Sequence, residues 1–194
     1  MPFKRLIARR RRPGPAQALY RRLVSQARDP GFYRHAGVPD TLDGRFEMIL
    51  LHIFLVLRRL KRAKGAVDEV SQTLSEALFD DMDRSLREIG VGDLGVGKHV
   101  KRMAAAYRGR LAAYDAALAG DDAALEAALR RNLYGTVSPS AAEVARVASY
   151  LRREGKALEA QTTANLAAGL LEFGPAPAPG QGMGGPAKAV DRPR

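Results

Sequence analysis

Apolar residues recur along this chain at spacings of three and four, the period of an α-helix with one buried face. Pro15 suits a first helical turn, and Leu19, Leu23 and Ala27 follow at i, i+4 and i+8 until "DPG" at 29–31 stops the run. "FYRHAGVPD" (32–40) has glycine, proline and no period, which predicts a loop or short turn. From Thr41 or Asp43, either a suitable N-cap, a helix is expected to about Ala63. The next covers roughly 67–89, with Val67, Val70, Leu74, Leu78, Met82, Leu86 and Ile89 on one side. Another, about 98–119, carries Val100, Met103, Tyr107, Leu111, Tyr114 and Leu118. Asp121 caps a short helix to Tyr134, and "SPSAAE" (138–143) opens a further one, with Pro139 in its first turn and Ser140 and Glu143 as a capping box. That helix is expected to reach about Phe173, with a break near Gly155. No segment alternates apolar and polar as a half-buried strand does, so the fold class is all-α: a single multi-helix domain over 15–173.

Two helices depart from a simple amphipathic pattern. In the run over 44–62, Phe46, Ile49, Leu50, Ile53, Leu57 and Leu60 form one apolar face. Met48, Leu51 and Leu55 form a second stripe on the opposite side, continuing into Arg58 and Arg62. A helix apolar all round is normally a central one; the alternative is an exposed hydrophobic groove with a basic rim, which would mark a partner site. In "SEALFDDMDRSLRE" (75–88), Glu76, Asp80 and Asp83 project away from the apolar arc, whereas Asp81 falls between Val70 and Leu74. A carboxylate on that edge needs a partner, and the Arg-rich helix before it is the expected donor. A membrane crossing by "FEMILLHIFLVL" (46–57) is excluded by length: twelve helical residues span roughly 18 Å against about 30 Å of hydrocarbon.

Composition sharpens this picture at the ends. The 194-residue chain has no cysteine, hence no disulfide, thiolate metal site or cysteine nucleophile. Its formal charge of +11 points to an anionic partner such as RNA, a lipid surface or an acidic protein. Residues 1–28 carry nine basic side chains and no acid, and no apolar stretch follows that would make a secretory signal. Residues 1–14 therefore read as a basic N-terminal segment, compositionally compatible with a transit peptide or with a frayed basic terminus. Residues 174–194, dense in proline, glycine and alanine, read as a disordered tail.

Catalytic chemistry finds little support. Gly92, Gly97 and Lys98 in "GVGDLGVGKH" (90–99) imitate the core of a phosphate-binding loop. A helix precedes them instead of a strand, and His99 stands where the magnesium-binding hydroxyl belongs. The expected role of Gly90 and Gly92 is to end one helix before Asp93 turns the chain towards the next. His35, His52 and His99 lack metal-ligand spacing, and no Gly-x-Ser-x-Gly elbow occurs. No nucleotide, metal, cofactor or enzymatic activity is expected.

The segments "FYRHAGVPDTLDGRFEMILLHIFLVLRRLK" and "SEALFDDMDRSLREIGVGDLGVGKHVKRMAAAYRGRLAAYDAAL" closely resemble the ubiquinol–cytochrome c chaperone family, over about residues 30–135. The resemblance rests on an aromatic turn before "VPDT", then "GRFE", "LVLRRL", "DDMD", "GVGDL" and "YRGRL". It implies an all-helical, non-enzymatic assembly chaperone that binds newly made cytochrome b of respiratory complex III. It also implies a role with a small partner near the ribosome, while the overall basicity is expected to hold the chain against the anionic inner leaflet or ribosomal RNA. The Ala/Arg/Gly-rich composition suggests a bacterial, cytoplasmic, membrane-peripheral setting. The expected partner surface joins Met48, Leu51, Leu55, Arg58 and Arg62 to Glu76, Asp80, Asp81 and Asp83. A basic helical RNA- or ribosome-binding module is the alternative that the charge favours.

Overall fold

The computed structural model describes residues 14–61 and 67–179. Most of the basic N-terminal segment, Arg62 and the tail from residue 180 onward lie outside these residues. Among the described residues there are eight helices and no strand: α1 (Pro15–Ala27), α2 (Pro30–His35), α3 (Leu42–Lys61), α4 (Val67–Glu88), α5 (Asp93–Ala119), α6 (Asp122–Asn132), α7 (Ala141–Ala160) and α8 (Thr163–Ala167). No described helix is long and apolar enough to cross a membrane.

The apolar circumference of α3 makes it the axis of the fold. It packs against α1, α4, α5 and α7, and its side chains are buried on every side. Met48 and Leu51 have no exposed surface and Leu55 has 2 %, so this second stripe is core. Only Leu55 touches a surface pocket, a narrow one of about 10 Å³ beside Arg58 and Arg59, so the stripe offers no apolar groove, which corrects its assignment to a partner surface. The reason is simple counting: a helix with four helical neighbours has no side left for solvent.

Local chemistry explains the remaining boundaries. Asp29, expected only to stop α1, also caps α2 by accepting from the Gly31 N–H at 2.7 Å, so the segment expected as a loop begins as a short helix. The Thr41 hydroxyl accepts from Gly44 N–H at the start of α3. Asp121 caps α6, and Ser140 and Glu143 form the expected box on α7. α5 starts at Asp93, five residues before the sequence expectation, and absorbs Gly95 and Gly97 into helix. α7 runs straight through Gly155, since a helical glycine costs only about 1 kcal/mol. The chain breaks instead at Gln161 and Thr162, where Thr162 caps α8.

The chain beyond Phe173 also differs from expectation. Gly174 N–H donates to Glu154 Oε2 at 2.8 Å, and the Gly174 carbonyl accepts from Gln26 at 2.9 Å. Ala176 is buried, and Pro177 lies so close to Gly31 that a side chain there would clash with its carbonyl. Residues 174–178 are therefore part of the packed domain, and a tail can begin only after them. Glu154 is wholly buried and bonded to Arg153 at 2.7 Å, so losing the Gly174 N–H leaves part of its carboxylate unsatisfied. A chain ending at 173 is expected to melt several degrees below one ending at 179, because such a loss costs about 1–3 kcal/mol. Equal melting temperatures would show that this segment contributes nothing.

Candidate functional site

Gly44 opens the site. A Cβ on it would stand 2.0 Å from the Pro39 carbonyl oxygen, so only glycine lets the first turn of α3 lie against the preceding loop. That loop is fixed from the far side by Tyr134, whose hydroxyl donates to the Ala36 carbonyl at 2.6 Å, and by Arg146, which donates to the His35 carbonyl at 2.8 Å. One turn further along α3, Glu47 points towards α5 and meets the guanidinium of Arg110, with the Tyr114 hydroxyl donating to its other oxygen at 3.5 Å. Above this pair Arg102 bridges Asp43 at 3.0 Å on the surface.

Asp43, Gly44, Glu47, Arg102 and Arg110, together with Met103 and the turn after α6, line a cleft of about 340 Å³. Its polar groups are Asp43, Glu47, Arg102, Arg110, Arg131, Asn132 and Thr136. The Glu47 side chain is only 5 % exposed, and desolvation pushes its carboxyl up from 4.5 to about 7, against the pull of Arg110. Burial also holds the Tyr114 hydroxyl well above its ordinary range. Asn132 Nδ2 is buried beside Tyr114 without a well-formed hydrogen bond. The cleft thus combines a carboxyl that titrates near neutrality, cations on its rim and an amide donor with spare capacity, which suits it to holding a polar segment of a partner.

The residues singled out from the sequence do not form one patch. Glu76 and Asp80 are exposed on the outer face of α4, and Asp83 pairs with Arg87 at 2.7 Å on the same helix. Asp81 is tied down as expected, but by α1 and its C-terminal cap: Tyr20 donates to it at 3.2 Å and Arg28 at 3.3 Å. The expected donor helix, α3, supplies neither group. Arg58 sits at the far end of α3, 3.7 Å from Asp115 of α5. Gly90 takes φ +84° at the end of α4, where Val91 N–H bonds to Leu86 and Gly90 N–H to Arg87 in a Schellman turn. Gly97 and Lys98 then lie inside a helix, so the glycine run lacks the geometry of a phosphate loop.

Sequence reasoning missed Glu47, Arg110 and Tyr114, although one signal was present. Glu47 and His52 interrupt an otherwise apolar stretch of α3 that must be buried. His52 is resolved internally: its Nδ1 donates to the Met48 carbonyl at 2.7 Å, and its Nε2 accepts from the Tyr150 hydroxyl at 2.8 Å. Burial lowers its pKa from 6.5 to about 4, so it is a neutral core residue. Among the described residues no cluster of His, Asp and Glu could hold a metal ion.

The described residues thus form an all-helical domain with a mixed-charge cleft. The chain belongs to the ubiquinol–cytochrome c chaperone family, whose model matches residues 34–173. It is 23 % identical over 128 residues to ubiquinol–cytochrome c reductase complex assembly factor 1 of Xenopus laevis, covering 66 % of this chain and 64 % of that one. The human assembly factor 1 is 22 % identical over 151 residues, covering 78 % and 50 %. The chain therefore spans about half to two thirds of the length of these relatives. The crystal structure of the Cbp3 homolog from Brucella abortus superposes with a TM-score of 0.73 at 37 % identity, over 84 % of this chain and 90 % of that one.

Proposed function

We propose that this chain is an assembly chaperone for the ubiquinol–cytochrome c reductase complex, that it binds newly made cytochrome b, and that it does so peripherally at the cytoplasmic face of a bacterial inner membrane. The observation that carries this reading is a convergence. The "GRFE" and "YRGRL" segments, far apart in a family-matched chain, meet at the Glu47–Arg110 pair and line one cleft. Cytochrome b offers apolar helices with positively charged cytoplasmic flanks. Asp43 and Glu47 in the cleft, and Glu76, Asp80 and Asp83 on α4, are the acids assigned to those flanks.

The charge distribution supports a division of labour. Of the net +11, residues 1–13 contribute +6, residues 62–66 +2 and residues 180–194 +2, leaving the described domain at +1. A nearly neutral domain is poorly suited to gripping RNA, so attraction to the ribosome or to anionic lipid is assigned to the flanking basic segments.

The test is complementation of a deletion strain with Asp80→Lys/Asp83→Lys. Both positions lie on the outer face, and an ion pair as solvent-exposed as Asp83–Arg87 adds little to stability, so abundance is expected to be normal. Assembled complex III and crosslinked cytochrome b are expected to fall several-fold. Normal assembly at normal abundance would remove the acidic face from the mechanism. Crosslinking of the wild-type chain to ribosomal proteins and RNA without cytochrome b would favour the ribosome-binding alternative.

A further inference from the structure

We infer that the turn between α4 and α5 is a membrane wedge, which inserts Ile89 and Leu94 between the lipids of an anionic bilayer. This rests on the membrane-peripheral reading above and assigns it a surface in the described domain.

Ile89 is 67 % exposed and Leu94 95 %, whereas nearly every other large apolar side chain described is covered. They flank the apex of a helical hairpin that projects past the continuous core: Leu86 and Val96, the last covered residues on either side, are buried but stand apart from it. The apex is preset. Gly90 holds the Schellman turn, Val91 folds against Gly95, and Arg87 of α4 pairs with Asp93 at the start of α5. Such a turn displays two aliphatic side chains outward at little entropic cost. Lys98 and Lys101 follow on α5, exposed and without an ion pair among the described residues. Arg87 and Arg102 are neutralised by Asp83, Asp93 and Asp43, whereas Arg84, Lys98 and Lys101 are exposed and carry no ion pair among the described residues, which gives the aliphatic apex a cationic surround. Gly92 and Gly97 face open space, so the surface beside Leu94 stays low and admits headgroups closely.

The occupant follows from shape and charge. Two side chains on a convex apex offer far less area than the roughly 800 Å² per partner of a stable protein interface. They are enough for a wedge, where aliphatic burial and attraction of lysines to anionic headgroups act together.

The chain contains no tryptophan, so Leu94→Trp places a single indole at the apex. With phosphatidylcholine vesicles containing phosphatidylglycerol, its emission is expected to shift to the blue and to be quenched by lipids brominated in their acyl chains. Ile89→Ser/Leu94→Ser in the full chain is expected to weaken co-sedimentation roughly tenfold with an unchanged melting temperature. An unshifted indole on a chain that still sediments would overturn the wedge and leave binding to the basic segments alone. A shift caused by a soluble apolar helix peptide but not by vesicles would overturn it in favour of a client site. Cytochrome b crosslinking by the wild-type chain is scored separately, so its failure counts against the proposed function and not against the wedge.

Discussion

Gly44→Ala is expected to lower the melting temperature by roughly 10 °C. The added methyl would lie 2.0 Å from the Pro39 carbonyl oxygen and 3.1 Å from its carbon, and both are backbone atoms with no rotamer to yield. Either the first turn of α3 tilts or the 36–41 loop lifts, and both are held. The loop is fixed by Tyr134 and Arg146, and α3 by its burial among four helices. Overpacking of this kind costs about 3 kcal/mol, and in a domain of this size each kcal/mol moves the midpoint by about 2–4 °C. The same exchange at Gly97 is expected to act in the opposite direction. Gly97 lies in α5 with open space around its Cα, so alanine should stabilise by up to about 1 kcal/mol through helix propensity. Thermal melts of both variants by circular dichroism decide the matter. A Gly44→Ala protein as stable as the parent would mean that the loop gives way freely and does not brace the cleft.

The contrast between these glycines shows what a sequence discloses and what it withholds. Gly90 was legible because its role is local: a helix ends, the next residue needs positive φ, and glycine supplies it. Gly44 was opaque because its reason is a backbone five residues away, brought close only by the fold. The helices themselves followed from periodicity and caps, which depend on neighbours in the chain. Ser140 with Glu143 and Asp121 sit where expected for that reason. Errors came where tertiary contacts decide. Asp81 plainly needed a cation, but nothing in one helix says that Tyr20 of α1 and Arg28 at its C-terminal cap are nearer than the arginines of α3. Composition alone makes the residues from Gly174 onward a tail, yet a buried carboxylate on α7 and Gln26 on α1 recruit the first of them. The cleft was hidden for the same reason, because Glu47 and Arg110 become a pair only when α5 crosses α3. Still, a glutamate set in "FEMILLHIF" was a visible anomaly, and a buried acid always implies a partner.

That acid leads to the second large effect: Glu47→Gln is expected to make the protein markedly more sensitive to acid. Burial raises the Glu47 pKa from 4.5 to about 7, so between those values the folded chain holds a proton that the unfolded chain has released. Its contribution is fully present below pH 4.5 and is lost as the pH rises through 7. His52 works in the other direction. Its pKa falls from 6.5 to about 4, so its contribution is present above pH 6.5 and is lost as the pH falls through 4. Each shift corresponds to roughly 3 kcal/mol, and neither needs a solvent discount, since the Glu47 side chain is 5 % exposed and His52 not at all. Between pH 4.5 and 6.5 the two slopes oppose and nearly cancel in the wild-type chain. Glutamine keeps the shape of Glu47 but removes its titration, leaving the His52 slope uncompensated. Urea melts from pH 4.5 to 7.5 should then show the variant losing about 2–3 kcal/mol more than wild type between pH 6.5 and 4.5. Parallel profiles would mean that Arg110 keeps Glu47 ionised throughout, against the cost of burying it. If the profiles diverge, the cleft exchanges a neutral carboxyl for a carboxylate close to neutral pH. A basic client flank would then be held more tightly on the alkaline side of that transition, with Arg110 competing for the same oxygen.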